Sequence, residues 1–318
     1  MARRFMTETP SYHIPALLDA TLDSLDIKPA GVYVDATFGG GGHSRAILSR
    51  LGNQGRLIVF DQDMDAFRHQ QSLPDNLLSD PRVTAVNANF RYLKRFLRYY
   101  GIDAIDGLLA DIGVSFHHFD DGSRGFSFRS DAPLDMRMNR SSALTAHKVI
   151  NTWDEQRLAD MFYLYGELRQ ARRIASAICR QREKSPIMTT AQLADTVNPT
   201  LKNDREKKEL ACVFQAVRIS VNDEMGALRD LLTDGTALLK TGGRFAVLAY
   251  HSLEDRMVKN YFKTGNVAGN VEKDFYGNLI SPLKPLGNKA ITASDEEIAL
   301  NPRARSARLR AAEKTNRQ

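Results

Sequence analysis

Hydrophobic and polar positions along the chain follow two rhythms. Residues 31–43 read Gly-Val-Tyr-Val-Asp-Ala-Thr-Phe and then stop in four glycines, Gly39 to Gly42, and His43. Residues 56–63 (Arg-Leu-Ile-Val-Phe-Asp-Gln-Asp) and 105–115 (Ile-Asp-Gly-Leu-Leu-Ala-Asp-Ile-Gly-Val-Ser) are two further apolar runs that end at Asp61 and Asp111. Short apolar runs of this kind, the first of them alternating, predict strands that each deliver a special residue at the carboxyl end. Between them the spacing turns helical, over 44–52, 63–72 and about 90–100, with a weaker strand at Val83–Val86. A helix is also expected over 13–26, where Pro15 suits a first turn. Alternating strand and helix predict an open, mostly parallel sheet joined by right-handed crossovers.

The rhythm breaks after the third strong strand. From about 116 to 134 the chain is rich in Asp, Gly, Ser, His and Phe and reads as loop. Helical spacing then runs from about 142 to 214 without a strand, over Thr152–Tyr165, Glu167–Arg182, Thr190–Val197 and Glu206–Ile219, punctuated by Pro186 and Pro199. A helix over 222–240 and a strand over Gly243–Tyr250 restore the earlier pattern. The expected fold is α/β, a Rossmann-like domain with an all-helical domain inserted into one of its loops.

Composition narrows the class. A hydrophobic content of 42% and a charged content of 26% are ordinary for a globular protein. No apolar run approaches the ~20 residues that span a bilayer, and no signal-peptide core precedes the first helix. Cys179 and Cys212 lie far apart in helix-like stretches. They read as reduced core residues of a cytosolic protein, and no cluster has metal-ligand spacing. The net charge is +6, with basic stretches at 91–98, 169–182 and 303–310. A solvated helix face accounts for any one of these; the three together favour a nucleic acid partner.

Candidate chemistry gathers at the strand ends. Gly39, Gly41 and Ser44 approximate Gly-x-Gly-x-x-Gly, a loop whose amides approach a ligand at a helix amino terminus. Asp61 follows about twenty residues on, where a carboxylate accepts hydrogen bonds from ribose hydroxyls. The pair points to an adenosine-containing cofactor without saying which. Asp35 either meets a cofactor amino group or braces the glycine loop, and His43 either contacts the cofactor or begins the helix. Asp111 ends an almost wholly apolar strand, and an acid there calls for a partner or a function. A nicotinamide-dependent oxidoreductase would more often show a proton-relay set such as Tyr-x-x-x-Lys, which is not seen.

Several segments closely resemble one family. They are Asp-Ala-Thr-Phe-Gly-Gly-Gly-Gly-His-Ser (35–44), Asp-Ile-Gly-Val-Ser (111–115), Asp-Asp-Gly-Ser-Arg-Gly-Phe-Ser-Phe-Arg (120–129), Pro-Leu-Asp-Met-Arg-Met (133–138), Tyr-His-Ser-Leu-Glu-Asp-Arg (250–256) and Asn-Pro-Arg-Ala-Arg-Ser-Ala-Arg-Leu-Arg (301–310). The chain resembles the bacterial 16S ribosomal RNA cytosine-N4 methyltransferases from about His13 to Lys314. The resemblance implies a class I methyltransferase domain in two parts, 1–118 and 218–318, around a substrate-recognition insertion over 119–217. It implies S-adenosylmethionine as cofactor, touched by Gly41, Gly42, His43, Asp61, Phe90, Asp111 and His118. At the last position the chain departs from the family's usual Ser-Ser-Pro-Gln, reading Ser115-Phe-His-His118. The implied reaction is methylation of the exocyclic N4 of a cytidine in the decoding region, on RNA or an assembled small subunit, by a cytoplasmic enzyme, in one reading a homodimer.

Other residues carry paired expectations. Phe116, Phe126 and Phe128 either stack on a flipped base or pack the insertion. Asp111 is the candidate acceptor for the amino group. His251, with Glu254 and Asp255, either serves the base pocket and its proton or caps the next helix, with Ser252 as cap. Arg124, Arg129 and Arg137 either grip phosphates or pair with Asp120, Asp131 or Asp135, and Arg303 to Arg310 either meet RNA or form a surface helix. Two other functions stay open at this point: a nicotinamide-dependent oxidoreductase and a non-catalytic RNA-binding assembly factor.

Overall fold

The structure is a computed structural model that describes residues 15–113, 122–202, 205–277 and 279–316. His118 and Phe116 lie outside the described residues, as does Asp120. The chain forms two compact units, Met1–Gly113 with Arg229–Gln318, and Val114–Leu228.

The first unit is built on one sheet. Its strands are β1 (Val32–Asp35), β2 (Arg56–Asp61), β3 (Val83–Asn87), β4 (Ile105–Ile112), β5 (Leu239–Ala249), β6 (Leu283–Pro285), β7 (Ile291–Thr292) and β8 (Arg308–Lys314). The order is β3-β2-β1-β4-β5-β8-β6, with β7 also paired to β8. Strands β1 to β5 run parallel, and β8 returns antiparallel to β5. This is a Rossmann-like sheet whose order reverses between β1 and β4, the crevice where such sheets hold ligands. Its centre is dry: Val34, Ile58, Val59, Phe60, Leu108, Leu109, Ala110 and Val247 are all 0% exposed. Full burial of each larger side chain stabilises the fold by about 1.5–3 kcal/mol. Strands β1 and β2 end in acid and β4 carries one next to its end, so the dry centre gives way to Asp35, Asp61 and Asp111 at one edge.

Several boundaries differ from those expected. The first described helix begins at Leu18, not around Pro15, because Leu17 adopts a left-handed backbone (φ 52°). The helix expected over 152–165 begins at Glu155 and runs to Gly166, because Asp154 caps it through the Arg157 amide, and a separate helix, Ala146–Thr152, precedes it. The basic tail at 303–310 is not a surface helix. It passes through a short 3-10 turn, Pro302–Ser306, into β8.

The second unit is helical, and its core joins residues from Ala146 to Val221 with Phe126, Leu134, Met136 and Met138 of the preceding segment. That segment explains the two most distinctive sequence motifs. Gly125 has φ +72°, and a Cβ there would lie 2.3 Å from the Pro133 carbonyl oxygen. Buried Arg124 donates to the carbonyls of Arg137 and Met138, while Arg137 forks onto Asp135 at 2.7 and 2.8 Å. Arg137 thus takes the structural alternative, its pairing with Asp135, and Arg124 holds the chain through two carbonyls. Phe126 is 5% exposed and fills this unit's core, and half-buried Phe128 packs edge-on against Phe214 (5.5 Å). Among the described residues no helix is long and apolar enough to cross a membrane.

Candidate active site

The glycine loop is held from beneath by Asp35. At the end of β1 this buried carboxylate accepts hydrogen bonds from the Thr37 amide (3.0 Å) and the Ser44 hydroxyl (2.6 Å). Its bracing role therefore accounts for its position, and burial raises its pKa above the usual carboxylate range. Thr37 in turn accepts from the Asp111 amide (2.6 Å), which ties β1's exit to β4. Gly41 (φ +75°) precedes the helix Gly42–Arg50, and a Cβ on it would press on the Phe38 ring and Gln70. A Cβ on Gly39 (φ +50°) would meet only the Thr37 carbonyl, at 3.9 Å, so this side of the loop is open.

Asp61, ending β2, reaches over this loop. Its Oδ2 accepts from the Gly39 amide (2.9 Å) and its Oδ1 from the Asp63 amide (2.8 Å). Burial, opposed by these two amides and reinforced by Asp63 and Asp35, pushes its pKa up to about 6. The exit of β3 is drawn towards the same place: Asn87 donates to the Asp61 carbonyl (3.0 Å) and Asn89 to Gln62 (2.9 Å). Phe90 follows, half-buried, in a 3-10 turn capped by Asn89.

Asp111 lies near the end of β4 at the reversal point. Its Oδ1 accepts the Tyr250 hydroxyl (2.7 Å), and its Oδ2 is 3.6 Å from His43 Nδ1. His43 Nε2 is 3.2 Å from the Ala16 carbonyl oxygen. Burial raises the Asp111 pKa, while His43 and Tyr250 oppose the shift and Asp35 and Glu254 add to it. Tyr250 holds its own proton tightly, because burial and the adjacent Asp111 both disfavour a phenolate.

Residues 10–315 match the MraW methylase family. The chain belongs to that family. It is 55% identical to a protein of Phocaeicola vulgatus named ribosomal RNA small subunit methyltransferase H, over 95% of this chain and 97% of that one. Proteins of the same name from Bacteroides fragilis and Flavobacterium johnsoniae are 55% and 52% identical, covering 96% and 97% of this chain and 99% and 100% of theirs. Among solved structures, an rRNA methylase from Streptococcus thermophilus aligns with TM-score 0.41 at 13% identity, over 96% of this chain and 99% of that one.

For this family member, Asp61 contacts the glycine loop at Gly39, Asp111 contacts Thr37 and His43, Gly41 and Gly42 lie in the same loop between them, and Phe90 stands beside the exit of β3. His251 is placed differently from the expected cap arrangement. It caps the helix Ser252–Thr264 itself, its Nδ1 accepting from the Glu254 amide, while Glu254 accepts from the Tyr250 and His251 amides. Asp255 accepts from Arg310 (2.6 Å) and Arg308 (3.4 Å). Sequence reading missed Tyr250 as a site residue. Its signal is a matter of register: Ile112 pairs with Ala249, which brings Gly113 and Tyr250 side by side. A Cβ on Gly113 would sit 2.9 Å from the tyrosine ring.

Proposed function

We propose that this protein is an S-adenosylmethionine-dependent methyltransferase acting on the exocyclic N4 of a cytidine in the decoding region of 16S ribosomal RNA. The observation that carries the reading is the charge of the crevice. Asp35 and Asp61 end β1 and β2, Asp111 lies next to the end of β4, and among the described residues the basic group acting on Asp111 is His43. An acidic edge suits a ligand bearing a sulfonium and an ammonium. It disfavours the pyrophosphate of a nicotinamide dinucleotide, so the oxidoreductase reading is set aside. Relatives named as small-subunit ribosomal RNA methyltransferases, at 50–55% identity over nearly the whole chain, support the RNA substrate.

The residues present fit such a cofactor. Gly39 leaves open space where a side chain would stand, and the amides of the loop precede a helix amino terminus. Asp61 keeps lone pairs beyond its two amide bonds for ribose hydroxyls. Phe90 offers an apolar ring for the base, Gly41, Gly42 and His43 line the loop, and Asp111 stands ready for the methionine end or the target amine. When bound, the cofactor supplies a methyl group made electrophilic by its positive sulfur.

The protein's part is alignment and proton handling. A cytosine amine is a weak nucleophile because its lone pair delocalises into the ring. Accepting its N–H bonds at Asp111 orients the nitrogen and favours attack. The target base leaves its stack to reach this edge. His251 caps the helix Ser252–Thr264, with its Nε2 3.0 Å from Glu254, and remains the second candidate for the proton. His118, at the family's remaining cofactor position, completes the proposed contacts. We place the substrate in the small ribosomal subunit and the helical unit on its RNA.

The test is incorporation of labelled methyl from S-adenosylmethionine into small ribosomal subunits from a strain lacking the enzyme. Asp111→Ala is expected to abolish incorporation while RNA binding persists. Undiminished incorporation by the variant would remove Asp111 from the chemistry, and no incorporation by either protein would favour the assembly-factor reading.

A further inference from the structure

Tyr250 stands at the sheet edge outside both the glycine loop and the strand-end acids. It follows β5, and the β4–β5 register sets it beside Gly113. The missing side chain at Gly113 lets the ring lie against that backbone. From there its hydroxyl donates to Asp111 Oδ1 at 2.7 Å. The tyrosine keeps its proton, so it is a permanent donor and never competes as a base.

The hydrogens of the neighbouring imidazole follow from its partners. His43 Nε2 faces a carbonyl oxygen, an acceptor only, so the ring hydrogen resides there. In the neutral ring Nδ1 is then bare, and it faces Asp111 Oδ2 across 3.6 Å. That edge has room and need for one proton. It is held with the carboxylate as an acid or with the ring as an imidazolium, across the 3.6 Å between them. Among the described residues, the other titratable groups acting on Asp111 are Tyr250, Asp35 and Glu254. Tyr250 comes from the end of β5, Asp35 from β1 and Glu254 from the helix Ser252–Thr264, the two acids opposing ionisation.

We propose that Tyr250 is a positioning residue for methyl transfer: its hydroxyl fixes Asp111 through Oδ1, so that Oδ2 and His43 Nδ1 together receive the proton the substrate amine gives up. This rests on the function proposed above. The amine gains a methyl group and loses one proton. Its N–H electron pair stays on nitrogen, and the positive charge that arrived with the methyl donor leaves as that proton on Oδ2.

The test compares wild type with Tyr250→Phe, which removes the hydroxyl and keeps the ring on Gly113. A hydrogen bond to an ionised carboxylate contributes about 1.5–3 kcal/mol, and one pKa unit is about 1.4 kcal/mol. The titration of the pair should therefore move up by about one unit. In single-turnover methyl transfer the acid limb shifts to higher pH, with about tenfold loss below the midpoint and near-recovery above it. In the cofactor-free protein, NMR titration of the Asp111 carboxyl carbon and the His43 ring carbons shifts in the same direction. A rate ratio that stays constant across pH, or an unmoved NMR titration, overturns the proposal. Adding Tyr250→Phe to Asp111→Asn should leave the His43 titration where Asp111→Asn put it; a further shift would show the hydroxyl acting elsewhere. If wild type transfers no methyl group at any pH, the function reading fails, while the NMR titrations still decide whether Tyr250 governs the pair.

Discussion

Asp61 has two amide donors in the free protein and a pKa raised to about 6, a carboxylate held short of full comfort. A ribose would add donors that only the ionised form accepts fully. S-adenosylmethionine affinity is therefore expected to be flat above about pH 7 and to fall as pH drops through about 6, reaching tenfold per unit well below it. Asp61→Ala should weaken binding about 10–100-fold, the loss of about 1.5–3 kcal/mol in charge-assisted hydrogen bonds, and abolish the pH dependence. Calorimetric titration between pH 5 and 8 checks both; equal affinities at pH 5 and 8 in wild type would contradict the assignment. At this scale the sequence shows Asp61 and Asp111 because a lone acid ending an apolar run is visible locally. Tyr250 is not visible in that way. Its partner lies 139 residues away, and only the pairing of β5 on β4 joins them.

At the scale of elements, β1, β2 and β4 are legible because strands buried on both faces read as continuous apolar runs. Strand β8 is not, since its burial does not alternate and Arg308, Arg310 and Lys314 interrupt it. Its arginines read as a basic tail, yet Arg310 forks onto Asp255 within the fold. The segment 122–138 shows the same limit. Its glycine and arginines look like ligand chemistry, and they serve a tight chain reversal instead. Gly125→Ala should cost about 3 kcal/mol or more, since the new Cβ meets a carbonyl as well as a left-handed backbone. Gly101→Ala, with φ +66° and nothing within 4 Å, should cost only about 1 kcal/mol. Urea unfolding of the two variants measures the difference, and equal losses would show that the contact at Gly125 relaxes freely.

For the whole molecule, charge distribution says more than net charge. Of the three basic stretches, the first loses Arg91 to an ion pair with Asp230 (2.8 Å), and the last loses Arg308 and Arg310 to Asp255. The stretch at 169–182 is different: on the helix Ala171–Lys184, Arg172, Arg173 and Arg180 are exposed, with Ile174, Ala175 and Ile178 on the buried face. If this helix meets RNA phosphates as proposed, Arg173→Ala and Arg180→Ala should each lower the salt dependence of RNA binding by about one unit of slope. Arg91→Ala should leave that slope unchanged, and the reverse order would move the RNA to the other unit.

The reaction itself is tested most directly by the modified nucleoside. Small subunits from a strain lacking the enzyme are methylated with labelled S-adenosylmethionine, and their 16S RNA is digested to nucleosides and resolved by mass. The label is expected in N4-methylcytidine alone. Label in 5-methylcytidine, in another base or in ribose would contradict an amine held at Asp111, and with it the central claim.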